Sequence, residues 1–126
     1  MESDQKKNIV ENILKQAKYF LDNSDEFYPF GCILTINREL RPLGAYTGEE
    51  FPDSSELLNF IEQAIIEGFL KKRYLGGGVA IDVFLNTQQK ERQNGIEIRL
   101  FTDRLIEKSY YTYEKIGEEY IVSKHS

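Results

Sequence analysis

The sequence predicts an α+β domain in which a mainly antiparallel sheet of five or six strands carries two helices on one face, in the order α-β-β-α-β-β-β. Two segments repeat apolar residues at helical spacing, and the other regular segments alternate with period two. Only residues 53–73 separate neighbouring strand segments by a helix, so hairpin-type antiparallel connections dominate. With 126 residues the chain is one domain, read as residues 1–126 with frayed ends at 1–4 and 123–126.

The first helix is expected over residues 5–21, where Ile9, Val10, Ile13, Leu14, Ala17, Phe20 and Leu21 form one apolar stripe opposite Glu11, Lys15 and Lys18. Asp22, Asn23, Ser24 and Asp25 stop it, because short polar side chains compete for backbone hydrogen bonds. Residues 30–36 alternate as a largely buried strand, Asn37-Arg38-Glu39 turns the chain, and residues 40–46 return. Pro42 restricts that return to an edge or an irregular strand because proline donates no ladder bond. Asp53-Ser54-Ser55-Glu56 has capping-box spacing, so the second helix starts near Ser54. Leu57, Leu58, Ile61, Ala64, Ile65 and Phe69 give it a broad apolar face, and Lys71-Lys72-Arg73 lie at its end, where the dipole favours cations.

Gly76-Gly77-Gly78 reads as a helix stop and a tight entry to a third strand over residues 79–85. Residues 87–95 read as a polar loop ending in the turn signal Asn94-Gly95. Residues 96–101 form a fourth strand, residues 109–114 a fifth that is rich in tyrosine, and residues 120–122 return beside it after Gly117.

The net charge of −5 argues against nucleic acid as a partner, since phosphate binding needs a concentrated positive surface. Cys32 is the only cysteine, which excludes an internal disulfide framework. Met1-Glu2-Ser3-Asp4-Gln5-Lys6-Lys7 lacks the apolar core of a signal peptide, and no apolar run approaches the ~20 residues of a membrane helix. These features predict a cytoplasmic protein with no membrane partner and no cofactor.

Nucleophilic catalysis needs a base beside the nucleophile, and the sole histidine is His125, next to last. Cys32 on an alternating strand reads as a small buried hydrophobe, and one cysteine with one terminal histidine cannot make the usual zinc site. Asp25, Glu26, Glu49, Glu50 and Asp53 could form an acid/base pair or hold a hard cation. The plainer reading is caps and solvated charges, and no spacing matches a calcium loop. The glycine triplet follows a helix and precedes a strand, the reverse of a phosphate-binding loop. No metal is expected.

The aromatic residues carry the remaining signal. Phe27, Tyr28, Phe30, Tyr46 and Phe51 surround the first hairpin, Tyr110, Tyr111 and Tyr113 lie on the fifth strand, and Phe84 and Phe101 stand opposite the aliphatic rows of their strands. With both helices on one face, Phe84 and Phe101 imply that the second face is also used, by a dimer, by a ligand or by the long loop. Candidate binding residues are Tyr28, Phe30, Tyr46, Glu49, Glu50, Phe84, Phe101 and Tyr111; none is assigned a catalytic role.

Phe27-Tyr28-Pro29-Phe30-Gly31, Gly44-Ala45-Tyr46 and Pro52-Asp53-Ser54 ahead of an acidic helix resemble a family of small, largely uncharacterised bacterial proteins. In that family a Pro-Phe-Gly strand, a Gly-Ala-Tyr strand and a Pro-Asp-Ser helix start recur in this order. The resemblance covers most of the chain after residue 25 and implies no catalytic residues. The element order is also similar to the roadblock and profilin-like α+β domains, dimerising scaffolds or sensors, without the closing helix of roadblock domains over residues 115–126.

The leading expectation is a non-enzymatic binding module that contacts a protein partner or small ligand through the aromatic hairpin region, with a homodimer expected and a toxin-neutralising immunity protein as one version. The alternative is a small enzyme using Asp25, Glu49, Glu50 and Tyr46.

Overall fold

The computed structural model describes residues 1–45, 48–102 and 105–125. Its elements are α1 (Ser3–Ser24), β1 (Phe30–Thr35), β2 (Leu40–Leu43), α2 (Ser54–Leu70), β3 (Tyr74–Leu85), β4 (Gln93–Phe101), β5 (Ile106–Ile116) and β6 (Glu119–His125). The strands form one six-stranded sheet in the order β2-β1-β3-β4-β5-β6, antiparallel at every pairing. The α+β class is therefore as the sequence predicts, and the element order matches with one more strand after α2 than the predicted three. Among the described residues no helix is long and apolar enough to cross a membrane.

Helix placement differs from the expectation. Ile9, Ile13, Ala17 and Leu21 of α1 pack on Cys32, Leu34, Ala80, Ile96, Ile98 and Leu100, whereas Ile61 and Ile65 of α2 pack on Ile33, Val79 and Phe101. Neighbouring strand residues point to opposite faces, so the two helices sandwich the sheet. The physical cause lies in β1 and β3, whose side chains are apolar on both faces and would leave one face wet if the helices shared the other.

The glycine triplet explains how two helices approach the same strand. Gly76, Gly77 and Gly78 lie inside β3 rather than ahead of it. A side chain on Gly78 would meet Ile13 and Ile9 of α1, and one on Gly77 would meet Ile65 of α2. Periodicity missed the start of β3 because glycine contributes nothing to an apolar pattern. Asn94-Gly95 likewise lies within β4 instead of turning the chain, and a side chain at Gly95 would meet Leu85.

The register removes the common face expected for Phe84 and Phe101. Val79 pairs with Arg99, Ala80 with Ile98 and Gly77 with Phe101, so the aliphatic row of β3 (Val79, Ile81, Val83) and that of β4 (Ile96, Ile98, Leu100) face opposite sides. Phe101 lies under α2 and is buried, while Phe84 is exposed on the α1 side at the far end of β3. A second apolar face does exist, and α2 covers it.

Helix boundaries follow the expected chemistry. The Asp53 carboxylate accepts from the N–H groups of Ser55 at 2.8 Å and Glu56 at 3.4 Å, although the Glu56 side chain makes no return bond. Asp53→Ala is expected to lower stability by about 1 kcal/mol, read from the urea midpoint; an unchanged midpoint would show that the cap contributes nothing. Helix α1 runs past Asp22 to Ser24 and ends at Asp25, whose left-handed backbone (φ 59) turns the chain toward β1. Helix α2 stops at Leu70, just before the basic run, and Lys71 pairs with Glu67. The α2 flank is tied to the sheet through Arg99, which bonds Glu62 of α2 at 2.9 Å and Glu97 at 2.6 Å.

Candidate functional site

The turn at Asp25 sends residues 26–29 back along the end of the sheet, between the C-terminal turn of α1 and the N-terminal turn of α2. Phe27 and Phe30 sink into the α1-side core, with ring centroids 5.6 Å apart; Phe30 lies 5.1 Å from Phe20 and Phe27 lies 6.4 Å from Tyr113. Tyr28 remains exposed because the alternation that buries its neighbours turns it outward. These side chains open onto two clefts that share Glu26, Phe27, Tyr28 and Pro29. One of about 340 Å³ extends to Gly44, Ala45, Pro52 and Leu57, and one of about 270 Å³ extends to Ser54, Ile81 and Asp82.

The fold thus brings parts of all three sequence motifs to one place. Residues 27–30, 44–45, 52 and 54 are distant in sequence and line the same clefts. Tyr46 lies outside the described residues.

Asp82 sets the electrostatics. Burial raises its carboxyl above the ordinary carboxylate range; the Tyr113 hydroxyl, donating at 2.8 Å, offsets part of the rise, and the charge of Glu26 adds to it. Burial also raises the Tyr113 phenol, and Asp82 adds to that rise. Neither Asp82 nor Glu26 has a lysine or arginine within ion-pair distance among the described residues. Glu26 and Asp82 did not stand out as a pair in the sequence, since contact between residues so far apart is a product of the fold. The available hint was a single carboxylate interrupting the apolar run of β3.

A sign follows for Asp82. Its unfolded value is about 3.9 and its folded value is higher, so the ionised form disfavours folding at neutral pH, and this penalty disappears as pH falls below both values. Asp82→Asn keeps an acceptor for Tyr113 and is expected to raise the melting temperature at pH 7 while leaving it unchanged at pH 3. A loss of stability at pH 7 would mean that the carboxylate is favourably placed.

The other candidate residues are dispersed. Phe30 and Phe101 are buried on opposite faces of the sheet. Phe84 is covered on one side by the Arg92 guanidinium, 4.4 Å from the ring centroid, and Tyr111 by the Lys124 ammonium at 4.7 Å. Glu49 and Glu50 are exposed and line neither cleft. Asp25, invoked for the enzyme alternative, accepts from Lys115 at 3.0 Å and from the Tyr120 hydroxyl at 2.9 Å, which lowers its pKa. None of Asp25, Glu49 and Glu50 lines either cleft. No three His, Cys, Asp or Glu side chains are grouped to hold a metal ion among the described residues.

Cys32 is fully buried, and burial pushes its thiol up to about 11, against a smaller opposing effect of the Arg41 backbone N–H. Thiol-reactive reagents at pH 7 are expected to label the native protein far more slowly than the urea-unfolded protein; equal rates would contradict this burial.

The chain matches no protein-family model, no curated protein and no solved structure.

Proposed function

We propose that the protein is a non-enzymatic binding module whose site is the paired cleft around residues 26–30, taking either a small ligand or one anchoring side chain of a protein partner. The observation that carries this reading is Asp82: a carboxylate near Glu26 in a cleft walled by Phe27, Tyr28 and Pro29, held above its ordinary pKa and with no lysine or arginine in ion-pair distance among the described residues. A site that keeps an unfavourable charge in the folded state is a candidate for recognition, because a ligand can supply the missing compensation. Two carboxylates beside aromatic rings suit a group with an apolar body and a cationic head, such as an aromatic amine or a lysine or arginine side chain. An immunity-type version of this reading would use the same cleft to hold a basic toxin residue.

The test is titration of the ¹⁵N-labelled protein with aromatic amines and matched aromatic acids. Amines are expected to shift the amides of Phe27, Tyr28, Phe30, Ala45 and Ser54, Asp82→Asn and Glu26→Gln to reduce the effect, and acids to leave the spectrum unchanged. Shifts confined to other surfaces, or equal responses to acids and amines, would reject the cleft as the site.

A further inference from the structure

Strand β6 is the outermost strand on one side of the sheet, and α1 occupies only part of its free edge. The Tyr120 N–H donates to Asp22 at 2.9 Å, and the Tyr120 carbonyl accepts from the Lys18 ammonium at 3.1 Å. Both backbone groups of Tyr120 therefore point away from β5. Antiparallel ladders alternate residue by residue, so the N–H and C=O groups of Val122 and Lys124 also face the open edge, and among the described residues α1 side chains bond only the backbone of Tyr120 there.

A groove of about 600 Å³ lies beside this edge, with Leu14, Tyr19, Tyr111 and Val122 among its walls. A second groove of about 440 Å³ shares Leu14, Tyr111 and Lys124 with it and extends toward Leu100. In a chain of net charge −5, five lysines whose side chains lie on the α1 side line the two grooves: Lys6, Lys7, Lys15, Lys18 and Lys124. Among the described residues the carboxylates lining them are Glu11, Asp22 and Glu107, each paired to one of these lysines. Lys15 and Lys124 have no carboxylate partner among the described residues.

We infer that the free edge of β6 takes an extended acidic segment of a protein partner as a seventh strand. Its backbone bonds Val122 and Lys124, alternate apolar side chains enter the groove against Leu14 and Tyr111, and its carboxylates meet the lysine rim. A second copy of this chain is a poorer occupant, because edge-to-edge pairing would set the same lysines against one another, the device by which edges discourage self-association. This surface is separate from the aromatic cleft.

Selection of peptides of about eight residues from a displayed random library against the full chain tests the inference. Expected winners alternate apolar residues and carry Asp or Glu between them. Their affinity should fall about tenfold or more in Val122→Pro, which removes an edge N–H that β5 does not use. The double variant Lys15→Glu, Lys124→Glu should give a similar loss without altering the backbone, so a folding defect in the proline variant leaves the test intact. Tyr28→Ala at the aromatic cleft should bind normally. Winners without acidic residues, or winners indifferent to the lysine reversal, would overturn the inference. So would a wild-type dimer in sedimentation that Val122→Pro dissociates, which assigns the edge to a second copy, or binding to phosphatidylserine vesicles that competes with the selected peptides, which assigns the lysines to a lipid surface.

Discussion

Ile13→Ala and Ile65→Ala are each expected to cost about 3 kcal/mol of stability, and the double variant about the sum. Both side chains are fully buried, so each truncation removes packing and leaves a cavity that a sheet-bound neighbour can fill only in part. Additivity follows from the layer arrangement: Ile13 belongs to the α1-side core and Ile65 to the α2-side core, with the sheet between them. If both helices lay on one face, the two isoleucines would share neighbours and the cavities would couple. Urea unfolding of the two single variants and the double variant decides the matter. A combined loss near 6 kcal/mol exceeds the lower end of the roughly 5–15 kcal/mol typical of a domain, so a mostly unfolded double variant is also an expected result. A double loss clearly smaller than the sum would count against separate cores.

The second large effect is expected at Gly31, the glycine of the Pro-Phe-Gly motif. A methyl group there would lie 2.6 Å from the Gly78 carbonyl oxygen and 3.3 Å from Ile61. The carbonyl belongs to the paired strand β3 and cannot swing aside like the end of a side chain, so Gly31→Ala is expected to cost about 2–3 kcal/mol. Because Phe30 precedes it, the shift should also disturb the cleft and weaken amine binding. Gly44, the glycine of the second motif, provides the matched control. Nothing lies within 4 Å of an added methyl there. Gly44→Ala should be neutral or slightly stabilising, by about 0.4–1 kcal/mol, through the unfolded chain. Equal losses at the two positions would mean that strand crowding does not explain the first glycine.

Acid should loosen a different part of the molecule. Asp22 has its pKa lowered by Lys18 and the Tyr120 N–H, and Asp25 by Lys115 and the Tyr120 hydroxyl. Both contributions are fully present above the unfolded value of about 3.9 and are lost as pH falls through the lower folded values. Amide protection factors, corrected for the slower intrinsic exchange in acid, are therefore expected to fall in β6 before the central strands as pH is taken below about 4. Loss of protection in β3 first would show that these contacts do not hold the edge.

The local elements were legible because their causes are local. The α1 stripe from Ile9 to Leu21, the Asp53 cap and the alternation in β4 each depend on residues within a few positions of one another, and each appears in the fold. The candidate site was legible only as three motifs. Tyr28 reached the cleft wall, but Phe30 and Phe101 went into the two cores, since an aromatic on an alternating strand has the same pattern whether a helix or a ligand covers it.

By itself, then, the sequence determined the α+β class, the order and approximate limits of the helices and strands, and the helix-capping residue, all of which follow from periodicity and nearest-neighbour chemistry. Tertiary structure alone decided which face each helix covers, why three glycines lie inside β3, and that Glu26 and Asp82 share one cleft. The reason is register: pairing Val79 with Arg99 rather than with Ile98 exchanges the faces of an entire row, and that choice depends on the packing of the whole sheet.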